Sequence, residues 1–479
     1  MNRHLLVGTA LVAVLAGGVG AADSVGPTRS VDIRTASEVP IAGITEICPE
    51  LGIEAGPTAS LTVTAAPASA RGTGEVDIAQ LGGRPVRVLG AAGPVASLVP
   101  TGVHGAVVTA RGRLASGLEV EETSQVEQGP GRAWFGTRCV APGGDPYFVD
   151  ASGVLGNRDV LGLFNPDPAT AVVDLQAWGP NGPLDLPAAQ GIQVDGTSRL
   201  IMLIDAIGPN LPLVAVHVVT RTGRVVAALY DQRLTGQNPR GIDYLAPAGP
   251  PSTDSVVPGF VGGAGSRSLD LLDPDATDAT VTVHVLSADG SFVPSGLEHV
   301  LVRAGTTVRV DLGRALGGQP AGVRVTSDEP VVAAGFENLT ARGLPYADVC
   351  YTAAAPALSG PTPVSEIASG SVTSSSLVLS APGPAAQVTI DVIGGRSRTV
   401  TVPAGGTVSV EVSGLLRPHA RTGGLVATPL PGSGPVYAAR EIYEAGAQGP
   451  LITLLPLVTP VRTVSVPAVV LDLQVGAAG

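Results

Sequence analysis

The residue types that carry acid–base or metal chemistry are few and scattered along this chain. Its 479 residues include six histidines and three cysteines, and no two of these stand at the spacing of a metal site. The sequence has no Gly-x-Ser-x-Gly elbow, no His-Glu-x-x-His pair and no complete calcium loop, which are the signatures of common hydrolases and metalloproteins. We therefore assign no catalytic residue, no metal ligand and no cofactor from motifs.

The densest carboxylate run resembles a cation site only when it is read alone. Calcium takes about six to eight oxygen ligands, and this run supplies Asp270, Asp273, Asp275 and Asp278. The equivalent turns of the repeat described below carry Asn165 and Ala381, so the oxygen donors are not kept from copy to copy. A turn built on Asx and Pro accounts for the copies better than a calcium site does.

Aromatic residues are rare, and a group of them lies close to two arginines. The candidate binding residues are Arg132, Trp134, Phe135, Arg138, Tyr147 and Phe148. One interpretation is a stacking platform for a glycan or another envelope component, with the arginines as hydrogen-bond donors or anion partners. The other is that the rings fill the junction between the first two repeats around Cys139. Solvent exposure of Trp134 and Tyr147 separates the two.

Composition excludes several function classes. The chain contains no lysine, so all 28 basic residues are arginine, which excludes Schiff-base lysines and the lysine of a P-loop. The net charge of -12 repels phosphate backbones, and we expect no nucleic-acid partner. An enzyme site assembled from distant segments would need converging titratable groups, for which we name His217, Asp231 and Asp243.

Three prolines mark an internal repeat. Pro166, Pro274 and Pro382 stand 108 residues apart, and each is followed by alternating apolar and polar residues of the kind found in half-buried strands. A diverged copy precedes them, in which the stretch 75–83 resembles 388–395 of the last copy. Units of about 100 residues are large enough to own a core, unlike propeller blades of about 45. The sequence predicts an all-β fold of tandem immunoglobulin-like β-sandwich repeats with little helix, rather than one closed ring.

The repeat pattern gives approximate domain boundaries. We place a diverged repeat 1 at 57–126, repeat 2 with the aromatic and cysteine junction at 127–235, repeat 3 at 236–340, and repeat 4 with further C-terminal strands at 364–479. Residues 360–376 are rich in Ser, Thr, Pro and Gly, which predicts a linker, with O-glycosylation as an option. The apolar runs 451–458 and 464–475 are expected to add strands to repeat 4.

The first 22 residues predict export. A positive start precedes an uninterrupted run of 18 small and apolar residues, 5–22, as in a secretory signal peptide. The same length can span a bilayer as an uncleaved anchor. Both alternatives place the rest of the chain outside the cytoplasm, with membrane contact only through this segment. The expected partners are an envelope protein or a polysaccharide, and the oligomeric state stays open.

The three cysteines cannot all pair with one another. Disulfides persist in exported proteins, and we predict a bridge between Cys48 and Cys139 because they flank the first repeat. Closing a loop of about 90 residues restricts the unfolded chain by about 4 to 5 kcal/mol. Cys350 is then the free thiol, and three buried free thiols remain the alternative.

Several short motifs, in a fixed order, resemble an uncharacterised family of exported actinobacterial proteins that is classed as a domain of unknown function. They are Cys48-Pro-Glu-Leu51, Cys139-Val-Ala-Pro-Gly-Gly-Asp-Pro-Tyr-Phe-Val149 and the Leu-x-Leu-x-Asn-Pro opening at Leu161. The likeness covers most of the mature chain. It implies export with an N-terminal hydrophobic segment, and it brings no catalytic residues. We predict an exported, non-catalytic scaffold or interaction protein of the cell envelope. The alternative is a module that binds a glycan or another envelope component, centred on the aromatic cluster at 134–178.

Overall fold

A computed structural model describes residues 36–49, 60–65, 73–89, 96–98 and 105–467. The predicted signal or anchor segment, residues 1–22, lies outside this range. Strands dominate the described chain, and its helical content is one four-residue helix, α1 (Gly313–Leu316), with three short 3-10 turns. The predicted all-β class with little helix is confirmed. Among these residues no helix has the length and apolar character needed to cross a membrane.

The chain divides into two compact bodies, one of which holds residues 40–462. The described residues of the other are 36–39 and 463–467. There, β1 (Ser37–Pro40) pairs with β35 (Thr463–Val466) in a two-stranded sheet. The start of the second C-terminal apolar run, which was expected to extend repeat 4, therefore pairs with the first strand instead.

Within residues 40–462, one strand order occurs four times. Numbered by position within each set, strands 1-6-3-4 form one antiparallel sheet and strands 5-2-7-8 form the other. In the second and third sets two short strands share the fourth position, and in the third set one long strand occupies both the sixth and seventh positions. Two such facing sheets make a β-sandwich, and we call the sets the first to fourth sandwich. The immunoglobulin-like assignment remains a prediction.

The first sandwich contains β2 (Gly43–Cys48), β3 (Ser60–Ala65), β4 (Gly74–Gln80), β5 (Val86–Leu89), β6 (Ala96–Leu98), β7 (Ala106–Gly112), β8 (Leu118–Val126) and β9 (Ala133–Arg138). The second contains β10 (Tyr147–Ala151), β11 (Asn157–Asn165), β12 (Ala171–Gly179), β13 (Gly182–Pro183), β14 (Ile192–Val194), β15 (Ser198–Leu203), β16 (Val214–Thr222), β17 (Val226–Thr235) and β18 (Asn238–Tyr244).

The third sandwich contains β19 (Ser252–Phe260), β20 (Ala264–Leu272), β21 (Ala279–Ser287), β22 (Gly290–Phe292), β23 (Val300–Val302), β24 (Thr307–Asp311), β25 (Ala321–Thr340) and β26 (Asp348–Ala353). The fourth contains β27 (Thr362–Ala368), β28 (Thr373–Ala381), β29 (Ala386–Val392), β30 (Ser397–Val402), β31 (Gly406–Glu411), β32 (Thr422–Pro429), β33 (Tyr437–Gly446) and β34 (Gly449–Pro456).

Alternation along the strands builds the sandwich interiors. In the second sandwich, Leu161 and Leu163 of β11 pack against Val173 and Leu175 of β12, which belongs to the facing sheet. The three repeat prolines hold one topological position, since each follows the end of the second strand of its set, namely β11, β20 or β28. The spacing of these prolines in the sequence therefore corresponds to a recurring place in the fold.

The predicted linker at 360–376 is wrong. Its residues form β27 and the beginning of β28, and β27 is buried along its whole length. The small polar side chains pack because neighbouring strands satisfy them: Ser365 Oγ donates to the Glu119 carbonyl at 2.7 Å, and Ser375 Oγ donates to the Ala368 carbonyl at 3.0 Å. Composition suggested a solvated segment because Ser and Thr carry no sign of the partners that bury them.

The four sandwiches meet through their last strands. β9 lies against β18 and β34, and β26 lies against the same two strands, so the contacts run in cyclic order through β9, β18, β26 and β34. Each of these strands is the edge of its own sheet, and covering an edge prevents it from pairing with another chain. The sequence favoured separate sandwiches over a ring, whereas the structure combines sandwiches with a cyclic set of contacts.

Candidate functional site

The predicted aromatic residues are buried at three different junctions. Trp134 is 6% exposed and packs on the fourth sandwich at Ala368, Ile442 and Leu451. Phe135 packs between the first and second sandwiches, with its ring centroid 5.8 Å from that of Tyr230. Tyr147 is 8% exposed and packs at the boundary of the second and third sandwiches, where its ring stacks on His217 at 3.8 Å.

Phe148 belongs to the interior of the second sandwich. The candidate residues therefore do not form one platform, and neither Trp134 nor Tyr147 offers a ring face to solvent. This burial argues against a glycan platform. For Phe135 the burial supports the other interpretation, in which rings fill a junction, because Phe135 packs between the first two sandwiches.

The two predicted arginines make contacts within the protein. Arg132 is 1% exposed and donates to the backbone carbonyls of Gly449 at 2.6 Å and Pro450 at 3.1 Å, which lie in the fourth sandwich. Arg138 forms a bidentate pair with Glu119 at 2.5 Å and also donates to the Val458 carbonyl at 3.3 Å. Both guanidinium groups hold protein segments together.

Of the groups named for an assembled enzyme site, His217 lies apart from the two aspartates. His217 contacts Tyr147 and lies 3.1 Å from the Gln176 side-chain oxygen on one sheet of the second sandwich. Asp231 lies on the other sheet, where it is opposite Asp243 in the ladder between β17 and β18. Throughout the described residues, no three His, Cys, Asp or Glu side chains are placed to hold a metal ion.

The carboxylate run of the third sandwich is divided between two roles. Asp273 Oδ1 accepts the backbone N–H of Asp275 at 2.9 Å, which is the Asx turn that the repeat comparison predicted. Asp270 instead binds Arg309 through both oxygens, at 2.8 and 3.0 Å. The run is therefore a turn beside an ion pair whose carboxylate is buried and whose guanidinium is partly exposed.

Cys48 and Cys139 form the predicted disulfide, with their Cα atoms 4.4 Å apart. Both sulfurs lie in the interior of the first sandwich. Cys350 is a buried free cysteine on β26. Burial is the main cause that raises the pKa of its thiol, so the thiol stays protonated and unreactive at neutral pH.

A buried carboxylate joins the last strands of all four sandwiches. Asp348 begins β26 and is fully buried. Its Oδ2 accepts the N–H of Trp134 on β9 at 3.0 Å and of Ile452 on β34 at 2.9 Å. Its Oδ1 accepts the N–H of Val349 at 3.0 Å and of Ile242 on β18 at 3.3 Å. One side chain thus satisfies backbone donors from four edge strands.

Close approach of β18 to Asp348 depends on a glycine. Gly241 has a φ of +118°, in the region that favours glycine. A Cβ at this position would lie 2.7 Å from Asp348 Oδ1. A side chain there would therefore separate the second sandwich from the third.

A buried ion pair joins the first sandwich to the fourth. Arg440 on β33 donates to Glu121 Oε2 on β8 at 2.6 Å, and the two side chains are 0% and 2% exposed. The other Glu121 oxygen accepts the Ser365 N–H at 2.9 Å. Next to them, Thr123 donates to Glu366 at 2.5 Å across the same boundary. We call this group, together with Asp348 and Asp243, the charged centre.

A second polar cluster joins the second sandwich to the third. Arg233 binds Asp231 at 2.6 Å and donates to the Tyr351 hydroxyl of β26 at 2.9 Å, and Tyr351 in turn donates to Asp231. Asp150 accepts from Arg233 and from Arg309 of the third sandwich. The backbone of Asp150 has a φ of +90°, which is rare for residues other than glycine. The Asp150 carboxylate lies between the two guanidinium groups.

Burial raises the pKa of several carboxyl groups in and around the charged centre and the second polar cluster. The pKa rises to about 8 for Asp348, against the lowering effect of its backbone donors, and to about 7 for Glu119, against the lowering effect of Arg138. The Glu441 pKa rises to about 7 because of burial alone. For Asp159, burial and the neighbouring Asp231 both raise the pKa. Desolvation disfavours the ionised form in each case.

A pocket of about 510 Å³ lies where the last strands end. Its lining includes the C-terminal residues of β9, β18, β26 and β34, one strand from each sandwich: Arg138, Tyr244, Ala353 and Pro456. Of the 26 described residues that line it, 22 are Gly, Ala, Val, Leu or Pro. We call it the strand-end pocket.

Sequence reasoning missed both the charged centre and the second polar cluster, although one signal was present. Asp is depleted in strands, yet Asp150, Asp159, Asp231, Asp243 and Asp270 all lie within strands. The cluster Glu119-Val-Glu121-Glu122 on β8 is a similar anomaly. Acidic residues at such positions indicate partners other than water.

Comparison with known protein families identifies the family to which the chain belongs. A family model matches residues 90–413, more than half of the chain. The chain belongs to DUF5719, a family of unknown function. The matched range includes Glu121, Asp243 and Asp348 and ends before Arg440. No curated protein matches the chain. Since the family description names no activity, the function of this chain is inferred from the contacts between its sandwiches.

Proposed function

We propose that the chain is an exported, non-catalytic scaffold or interaction protein of the cell envelope. The observation that carries the proposal is how the charged side chains are used. Asp348 binds backbone donors of all four sandwiches, and Arg440 binds Glu121 across a boundary. Side chains capable of acid–base chemistry are thus engaged in holding neighbouring sandwiches in place.

Export is supported by two features of the chain. The Cys48–Cys139 bridge is of a kind that persists outside the cytoplasm, and residues 5–22 have the composition of a signal peptide or anchor. Partners would then be an envelope protein or a polysaccharide. Because Trp134 and Tyr147 are buried, the proposal does not place a binding surface on the aromatic residues.

Cell fractionation tests the compartment. The full chain is expressed in its source cells beside a matched variant lacking residues 5–22. We expect the full chain in the extracytoplasmic fraction, oxidised at Cys48 and Cys139, and the variant in the cytoplasm. N-terminal sequencing of the recovered full chain separates a cleaved signal peptide from an anchor. Finding the full chain in the cytoplasm with three free thiols would overturn export.

Surface cross-linking tests the interaction role. Since the chain has no lysine, the reagent must join carboxylates, as a membrane-impermeant dihydrazide with a carboxyl activator does. We expect a reproducible adduct with an envelope component from intact cells and none from the variant lacking residues 5–22. The non-catalytic part of the proposal fails if the purified chain turns over a substrate and Asp231→Asn abolishes turnover while the chain stays folded.

A further inference from the structure

The strand-end pocket is held open by the residues that end the four edge strands. Pro247, Pro356 and Pro456 line it, and proline has no N–H with which to continue a ladder. Ala246 and Ala355 precede two of these prolines and also line the pocket, and alanine carries only a methyl group. The four regular strands therefore end at this level, and the segments that follow them bring mainly alanine and proline side chains to the pocket wall.

The charges around the pocket are matched within the protein. Arg138 is the only cationic side chain among the described residues that line it, and both oxygens of Glu119 bind that guanidinium. Asp145, the lining carboxylate, is exposed and accepts the Thr220 N–H at 3.0 Å. The net charge of the chain, -12, would repel an anionic ligand. Arg138 is already paired with Glu119 and so is not free to bind one.

We propose that the strand-end pocket binds a neutral, apolar small molecule. A pocket of about 510 Å³ falls within the range of small-molecule sites, which are lined mainly by apolar groups. Removal of the ligand's apolar surface from water drives binding, and charge selects against acids. The site depends on neither export nor a scaffold role, so its failure would leave those proposals untouched.

A matched pair of fluorescent probes tests both parts of the inference on the unchanged chain. N-phenyl-1-naphthylamine is neutral and apolar, and 1-anilinonaphthalene-8-sulfonate has the same ring system with an added sulfonate. We expect saturable binding of the neutral probe to one site and binding of the sulfonate at least about tenfold weaker. Equal affinity for the two probes, or no saturable binding of the neutral one, overturns the inference.

Substitution within the pocket locates the site. Ala246→Phe and Ala355→Phe place a ring in the lining, and each should weaken binding of the neutral probe by about tenfold or more. Ala288→Phe is the matched control because Ala288 is exposed and lies outside the pocket. Unchanged binding by the pocket variants, with the same circular dichroism and melting temperature as the parent, would contradict the site.

Photolabelling covers the case in which a pocket variant fails to fold. A neutral aryl diazirine is activated on the unchanged chain, and the labelled peptides are mapped by mass spectrometry. We expect labels within the lining segments 136–146, 225–227, 244–250, 353–356 and 454–458, reduced by an excess of the neutral fluorescent probe. Labels that lie elsewhere, or that the probe does not reduce, would contradict the proposal.

Discussion

The interior of each sandwich and the charged centre between the sandwiches are both buried, yet they are built from opposite residue types. The interior of the fourth sandwich is formed by residues such as Leu379, Val388 and Ile390. The charged centre holds Glu121, Arg440 and other ionisable groups at similar burial. The alternation of residue types along a strand shows which side chains share a face of the sheet. It does not show whether the polar face contacts solvent or another sandwich.

The two regions also differ in how they contribute to folding. Burial of apolar area stabilises by about 25 cal/mol per Å², largely independent of the partner's identity. A buried ion pair gains little overall, because desolvation offsets the attraction, but loss of one partner costs about 3 to 5 kcal/mol. We expect the charged centre to fix which strands meet, and the sandwich interiors to supply most of the stability.

Removal of one partner from the charged centre should have the largest effect. Arg440→Met leaves Glu121 buried without its cation, and we expect the free energy of unfolding to fall by about 4 kcal/mol. Arg324→Met is the matched control, since Arg324 pairs with Asp254 at 2.7 Å with the side chains 37% and 53% exposed. It should cost less than about 1 kcal/mol.

Equilibrium denaturation in urea measures both variants. Adding Glu121→Gln to Arg440→Met should recover part of the loss, because the unpaired carboxylate is then removed. Equal losses for Arg440→Met and Arg324→Met would break the contrast between a buried pair and an exposed one.

A cavity in a sandwich interior should have a slightly smaller effect that does not depend on pH. Leu379 is fully buried, and Leu379→Ala is expected to cost about 3 kcal/mol. Since no titratable group is removed, the loss should be the same at pH 5.5 and pH 8.5. Denaturation at both pH values checks this, and a loss that changes with pH would show that the interior and the charged centre are coupled.

Replacement of the carboxylate that joins the four edge strands should cost about 2 kcal/mol. In Asp348→Asn the amide nitrogen accepts no hydrogen bond, so two of the four backbone N–H groups lose their acceptor. Asp289→Asn, at an exposed position, serves as the control and should be neutral. Hydrogen exchange should show faster exchange for the Asp348-bound amides of Trp134, Ile242 and Ile452. Unchanged protection of all three would contradict the role given to Asp348.

Acidification should stabilise the protein by about 1 kcal/mol or more between pH 8.5 and pH 5.5. Glu337 is a buried residue of β25 that pairs with Arg267 at 2.8 Å. The folded pKa values of Asp348, Glu337 and Glu119, at about 8, 8 and 7, lie above the ordinary values of 3.8, 4.5 and 4.5. A raised folded pKa means that the folded chain holds its proton more tightly. That contribution is complete below about pH 4 and is lost as the pH rises through 7 to 8.

Calorimetry across this range measures the effect as a melting temperature. We expect the temperature to fall as the pH rises, and to fall less in Asp348→Asn, which has lost one titrating group. A melting temperature that rises from pH 5.5 to pH 8.5 would show that these carboxylates are stabilised as anions.

Much of the fold could be predicted because it depends on local pattern. Alternation gave the strands, and the spacing of Pro166, Pro274 and Pro382 gave a recurring topological position. The Cys48–Cys139 bridge followed from the place of both residues around the first repeat. These features depend on residues that are close in sequence or on the comparison of one repeat with another. A single sequence provides both kinds of information.

The sites could not be predicted in the same way, because they depend on contacts between sandwiches. Trp134 and Tyr147 are close in sequence but pack against the fourth and third sandwiches, so their proximity suggested a cluster that does not exist. Asp231 was named only as a group of an assembled enzyme site with His217 and Asp243, since nothing near it in sequence indicates Tyr351. Ser365 was assigned to a linker because the Glu121 that accepts its N–H is remote.

Carboxyl labelling tests most directly whether the charged residues are buried between the sandwiches. The native chain is treated with a carbodiimide and glycine ethyl ester, and modification is read residue by residue by mass spectrometry. We predict that Glu121, Asp231 and Asp348 stay unmodified while Asp289 is labelled, and that all four are labelled after unfolding. Labelling of Glu121 or Asp348 in the native chain at the rate of Asp289 would contradict a buried charged centre.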